Sequence, residues 1–244
     1  MPFLCNKSLG SFIKKRISII LILFISLLLF YKLTRPIWHP IKVKFSGAQT
    51  EEQTVQRIAK ATISNDQSLA SIPTPQKLSI LAFKEERQLE VWDSSQEKPV
   101  LLKTFPFTAF SGTLGPKLRE GDGQIPEGLY KIEYLNPNSS YHLSMKINFP
   151  NAFDRRKARK EKRTRPGTNI FIHGKAVTIG CIPIGDSAIE ELFYIVSKTG
   201  KKNVDVIISP YDMRLGIKKL EIPNIIWEDE LYEKIKSQLL FFSP

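Results

Sequence analysis

The sequence predicts a mainly β domain with α elements, set behind an N-terminal apolar segment. Three observations carry this. Between about residues 76 and 212, apolar side chains recur at every second position in short runs broken by Gly and Pro, the period of half-buried strands. After Asp186 the period lengthens to that of a helix, and it does so again near the C-terminus. Ahead of both, Lys14, Lys15 and Arg16 precede an uncharged apolar run from Ile17 to Tyr31. The chain has 244 residues, so core size is not limiting.

Residues 1–16 read as a cytoplasmic N-terminus and 17–33 as a transmembrane anchor, near the lower limit of about 17 residues for a crossing helix. Lys32 and Arg35 can snorkel, while Tyr31 and Trp38 suit the interface. The competing reading is a cleaved signal peptide. "FYKLTRP" after the run is bulky and charged, with no small-x-small site, which favours the uncleaved anchor. Basic residues before the run keep the N-terminus inside, so the body of the chain is expected outside the cytoplasm.

Residues 34–75 read as a tether with one short helix. "TEEQTVQRIAKATI" spaces Val55, Ile58 and Ala59 helically, with Glu51 and Glu52 at the positive helix end. "KLSILAF" and "QLEVWD" form a hairpin around "KEER", and "PVLLKTFPFTAFSG" is a further β-rich run. Strands are expected at Gly128 to Tyr134 and within "YHLSMKINF", "TNIFIHG" and "VDVIISP". "SAIEELFYIVSKTG" carries Ser187 and Glu190 at capping-box spacing and stops at Gly200, and "EDELYEKIKSQLLFF" closes the chain as an amphipathic helix.

The net charge is +12, and +7 of it lies in "RRKARKEKRTR", Arg155 to Arg165. The plain reading of that run is a solvated, mobile loop. A second reading is a surface for an anionic wall polymer or lipid. Nucleic acid is not expected, since no aromatic residues interleave the run for stacking. No Gly-rich phosphate loop fits a strand-turn-helix context, and no His/Cys cluster has zinc spacing, so neither metal nor organic cofactor is expected.

The chain has two cysteines and three histidines. Cys5 falls on the inner side of the expected membrane and Cys181 on the outer, so they cannot pair within one chain. Cys181 lies eight residues after His173 in "FIHGKAVTIGC". Gly174 and Gly180 bracket the loop between them and allow close backbone approach. An imidazole beside a thiol takes its proton, and N–H groups around Gly180 and Cys181 could hold an oxyanion. The bland alternative is a buried cysteine and a strand histidine. His39 lies in the tether and reads as inert. His142 reads as a strand residue, Asp154 as a capping or turn residue, and Asp122 and Glu127 as neighbours of turn glycines.

Several stretches in this order, "KLSILAFKEERQLEVW", "EGDGQIPEGLYKIEYLNPNSSYHLSMKINFPNAFD", "IFIHG", "TIGC", "VDVIISPYDM" and "NIIWEDELYEKI", resemble the L,D-transpeptidase catalytic domain, or YkuD domain, and within it a YafK-like branch. The resemblance covers about residues 76 to 237 and implies a β-sandwich-like catalytic domain over 76–244. It implies Cys181 as nucleophile, His173 as general base and Gly180 as an oxyanion donor, with substrate contacts from Gly174, Thr178, Ile179 and His142. The substrate implied is the peptidoglycan stem peptide, without metal or cofactor. In the family's usual motif a second histidine stands two positions before the cysteine; here Thr178-Ile179-Gly180-Cys181 lacks it. Three functions follow as candidates: a cysteine acyltransferase, a peptidoglycan hydrolase using the same thioester, and a non-catalytic wall-binding module.

Overall fold

The computed structural model describes residues 47–64, 74–216 and 218–242 apart from 219, 221, 223 and 224, together with Ile17 and Ser26. Apart from those two positions, the expected anchor lies outside the described residues, as do Cys5 and His39. Among the described residues no helix is long and apolar enough to cross a membrane.

One continuous eight-stranded sheet carries the fold. Its strands are β1 (Leu78–Phe83), β2 (Gln88–Asp93), β3 (Val100–Pro106), β4 (Gly128–Ser139), β5 (His142–Ile147), β6 (Phe171–His173), β7 (Ile182–Pro183) and β8 (Val204–Ser209), in spatial order β3-β2-β1-β8-β4-β5-β6-β7. Four α-helices lie among the described residues: α1 (Glu51–Ser64), α2 (Ala152–Lys160), α3 (Asp186–Thr199) and α4 (Glu228–Leu239). The alternating runs all become strands, and the hairpin turns at "KEER" as expected.

In place of the expected sandwich there is one sheet bent on itself, a half-barrel, and among the described residues no second separate sheet. The bend is in β4. Its residues Gly128 to Lys131 pair with β8, and from Ile132 onward it pairs with β5. β1 and β8 run parallel at the centre, and every residue of β1 is buried, which its near-continuous apolar sequence allows. One face of β1 (Leu78, Ile80, Ala82) shares a core with Leu143, Met145, Ile172 and Ile182 of the second limb and with Ile189, Leu192 and Phe193 of α3. The other face (Leu81, Phe83) packs with Leu231, Ile235 and Leu239 of α4.

The helix assigned to the tether joins this body. Val55 and Ile58 enter the first core, and Arg57 of α1 meets Glu190 of α3 at 2.8 Å. The compact unit accordingly starts at Gln49. The capping box expected at Ser187 and Glu190 is not formed. The helix begins one residue earlier, at Asp186 behind Gly185, and Glu190 is taken by Arg57 and His142.

The basic run also differs from expectation, because its first half is helical. Asn151 caps α2, accepting the N–H groups of Phe153 and Asp154, while Asp154 accepts that of Asn151 at 2.8 Å. That is a closed capping box, worth about 1 kcal/mol over an uncapped start. Lys157 is buried on Phe153 and Trp227 and pairs with Glu230 at 2.5 Å, and Arg163 donates to the Leu118 carbonyl.

Between β3 and β4 runs a long irregular segment, anchored by one buried ion pair. Lys84 Nζ donates to Glu127 Oε1 at 2.8 Å and to the carbonyls of Gly115 and Ile125, and both side chains are fully buried. Glu127 also accepts from the Gly115 N–H and the Tyr232 hydroxyl. Turn geometry is thus only part of what Glu127 does.

Two outcomes are expected. Lys84→Ala strands the Glu127 carboxylate and should cost about 3–5 kcal/mol in urea unfolding, whereas replacing both partners by apolar residues should cost less. Burial pushes the Asp154 carboxyl up to about 6. The folded state then holds that proton more tightly than the unfolded chain, so stability falls as pH rises from about 4 through about 6. Asp154→Asn should remove this step, on the order of 3 kcal/mol, when urea midpoints of the two proteins are compared across that range.

Candidate functional site

β6 and β7 run parallel, with Ile172 opposite Ile182 and His173 opposite Pro183. Ile172 and Ile182 face the core. Side chains alternate along a strand, so Phe171, His173 and Pro183 face the other way. Cys181 directly precedes β7, just ahead of the residue that pairs with Ile172. The apolar residues that build the core thereby decide where thiol and imidazole emerge.

The imidazole is 2 % exposed and lies against the Tyr141 ring, centroids 4.7 Å apart. Its Nδ1 is 2.6 Å from the Gly174 carbonyl, which can only accept, so Nδ1 carries the proton and Nε2 is left as the basic nitrogen. Burial holds the imidazole pKa below its ordinary value. Cys181 is a free, half-buried thiol. Its Sγ–H points to the Asn169 carbonyl at 3.9 Å. Burial pushes its pKa up, partly offset by the Phe171 N–H and the Lys117 charge. At neutral pH the resting pair is therefore a neutral thiol and a neutral imidazole.

No hydrogen bond joins sulfur and imidazole among the described residues. The sulfur is turned to the start of β6, while the ring sits at its end. Catalytic hydrogen bonds are often loose or unformed before substrate binds.

Gly180 has φ +107, and a Cβ there would lie 2.8 Å from the Gln124 carbonyl, so a side chain is excluded. Its N–H donates to Ser111 Oγ at 2.7 Å, and the Cys181 N–H donates to Thr178 Oγ1 at 2.8 Å. Both backbone donors expected at an oxyanion are thus held by hydroxyls. Thr178 also donates back to the Cys181 carbonyl at 2.7 Å. Ile179 is 83 % exposed beside the cysteine, and Val177 is exposed too. At Gly174, a Cβ would lie 2.6 Å from Asp186 Oδ1 and 2.8 Å from the Tyr141 carbonyl. His142 is tied elsewhere: Nε2 meets Glu190 Oε1 at 2.9 Å, the carboxylate that also holds Arg57.

Sequence reasoning missed Ser111, Asn169, Tyr141 and Lys117. Ser111 was hidden in "PVLLKTFPFTAFSG", read as β-rich throughout, although the strand stops at Pro106. The available signal was the cluster of Gly112, Gly115, Gly121 and Gly123, which needs a wandering chain rather than a ladder. Among the described residues no group of three or more His, Cys, Asp or Glu could hold a metal ion.

The family model described as the L,D-transpeptidase catalytic domain, YkuD, matches residues 78–208. The chain belongs to the YkuD family. It is 37 % identical over 139 residues to the Escherichia coli K12 protein named "Putative L,D-transpeptidase YafK", covering 55 % of this chain and 54 % of that one. The same values hold for the namesake in E. coli O157:H7. The chain thus spans about half the length of the curated relatives it matches. Among solved structures, the helical cell shape determining protein Pgp2 of Campylobacter jejuni is 20 % identical with a TM-score of 0.45, covering 59 % of this chain and 54 % of that one. L,D-transpeptidase 1 of Mycobacterium tuberculosis is 14 % identical with a TM-score of 0.31, covering 55 % and 62 %.

Gly174→Ala forces Asp186 and the Tyr141 strand end apart. It should cost about 1–3 kcal/mol in chemical denaturation, as overpacking does.

Proposed function

We propose that this YkuD-family chain is a cysteine acyltransferase acting on peptidoglycan stem peptides. Cys181 is the nucleophile and His173 its general base. The observation that supports the reading is that His173 ends β6 while Cys181 directly precedes β7, the strand paired with it. Because both groups rest neutral, the proton must move as the bond forms, which is general-base work.

The Cys181 sulfur attacks the carbonyl of the stem's third residue and its proton passes to His173 Nε2. The tetrahedral oxyanion takes the N–H groups of Gly180 and Cys181 once the Ser111 and Thr178 hydroxyls give way. On collapse the C–N bond to the D-residue breaks, the imidazolium protonates the departing amine, and a thioester remains. An amine of a neighbouring stem or protein then attacks the thioester carbonyl and releases the thiol. Gly174, Thr178 and the exposed Ile179 lie along the substrate's approach, and His142 acts only by holding the nearby strand end.

A second reading, hydrolysis of peptidoglycan linkages by the same thioester, is favoured by one feature. Ile179 stands where the family's usual motif has its second histidine, a departure that fits the YafK-like branch. A wall-binding module without catalysis is the third outcome. The apolar run from Ile17 to Tyr31 supports a single-pass membrane anchor over 17–33 with the catalytic domain outside the cytoplasm. The basic run supports a contact with anionic wall polymer or lipid through the cations of α2 and the loop after it.

Incubating the full chain with a disaccharide-tetrapeptide and reading products by mass tests the assignment. A dimer mass means transfer, a tripeptide mass means hydrolysis, and unchanged substrate means the binding module. Cys181→Ala should lose all product and all carbapenem adduct. His173→Ala should slow turnover by about 100-fold or more. Product formed by Cys181→Ala would overturn the proposal.

A further inference from the structure

We propose that Tyr141 is a positioning residue for His173, its ring forming the wall that keeps the imidazole dry and limits its tilt. Tyr141 lies in the short turn between β4 and β5. Hairpin turns ordinarily carry small or polar residues. This one carries an aromatic side chain that is 45 % exposed, with its ring centroid 4.7 Å from that of an imidazole that is 2 % exposed. A tyrosine serving only the core would itself be buried. One that stays half in water against a histidine that has none is a cover.

Two restraints thus act on the imidazole. The Gly174 carbonyl accepts the Nδ1–H at 2.6 Å and sets the tautomer, while the Tyr141 ring leans on it with 37° between the planes. Together they aim Nε2. In a Ser-His-Asp site a carboxylate does that orienting. Here the Nδ1 partner is a neutral carbonyl, so the ring contact supplies the second constraint. The turn that carries Tyr141 is itself pinned from both sides. Its N–H donates to Ser139 Oγ at 3.1 Å, and its carbonyl lies 2.8 Å from where a Cβ at Gly174 would be. The next residue, His142, has φ 72, a left-handed conformation unfavourable outside glycine. His142 Nε2 meets Glu190 of α3, the carboxylate that also holds Arg57 of α1. The helices fasten the turn, and the turn fastens the base. The charged and titratable groups around the imidazole are otherwise engaged: Asp186 with the Lys175 N–H, Glu190 with Arg57 and His142, while Cys181 rests neutral and the Lys175 side chain is exposed. Burial is what holds the His173 pKa below its ordinary value, and Tyr141 is the part of that burial that meets water.

The inference rests on His173 being the general base proposed above, yet its main readout needs no turnover, so the two can fail separately. The full chain in detergent, labelled with heavy carbon at histidine Cε1, is titrated by NMR. The His173 signal is identified by replacing His39 and His142 in turn with Gln. Tyr141→Ala lets water reach the imidazole and should raise the His173 midpoint by about half a pH unit or more. Tyr141→Phe keeps the ring and should leave the midpoint where it is. If the Ala variant does not fold, as judged by far-UV circular dichroism, Tyr141→Thr is titrated in its place. On disaccharide-tetrapeptide the Ala variant should form product about tenfold more slowly, with the Phe variant close to the unaltered chain. Absence of product from the unaltered chain would sink the enzyme reading and leave the titration to decide for Tyr141. An unmoved midpoint in a folded variant lacking the ring overturns the proposal, as does a Phe variant that shifts like the Ala one.

Discussion

A salt bridge with no access to water, Lys84 to Glu127, is the constraint from which the candidate site follows. The chain between β3 and β4 has no ladder to hold it. Its path is fixed where Lys84, at the end of a fully buried strand, gathers the Gly115 and Ile125 carbonyls and the Glu127 carboxylate around one ammonium. Burial pulls the Lys84 pKa down, and the Glu127 carboxylate opposes that. Because that segment is fixed, Ser111 can meet Gly180 and Gln124 can form the wall behind it. A pair on the far side of the segment thus sets the surroundings of the cysteine.

The chemistry at Cys181 reflects competing influences, of which burial is the largest. Low exposure disfavours both the thiolate and the imidazolium, so each group is held in its neutral form. The Phe171 N–H and the Lys117 charge oppose this at the sulfur, without overcoming it. Such a thiol is protected against casual modification and becomes nucleophilic only as its proton leaves.

Much of this was legible from the chain. Period-two runs marked the strands because one side of nearly every strand is buried, and Gly200 marked the end of α3 because only a residue tolerant of φ 81 fits there. His173 and Cys181 stood out because the sequence holds so few residues of either type. Less was readable where distant segments meet. Nothing local in "KLSILAF" announces a parallel partner at Val204 to Ser209. Glu190 has the spacing of a capping residue, yet Arg57 of α1 and His142 of β5 compete for it and win. The charge run read as loop because its cap, Asn151, lies ahead of it, and because Lys157 looks solvated until Phe153 and Trp227 fold over it.

The two-residue strand β7 forms one border of the sheet, and that border offers no unpaired backbone. Pro183 has no N–H to give, its carbonyl is taken by Thr108, and both main-chain groups of Cys181 are satisfied by Thr178. A foreign strand therefore finds nothing to zip onto beside the thiol, which removes a route to edge-on aggregation. It also means that a peptide arriving there is graded by its termini and side groups, not by how well it extends the sheet.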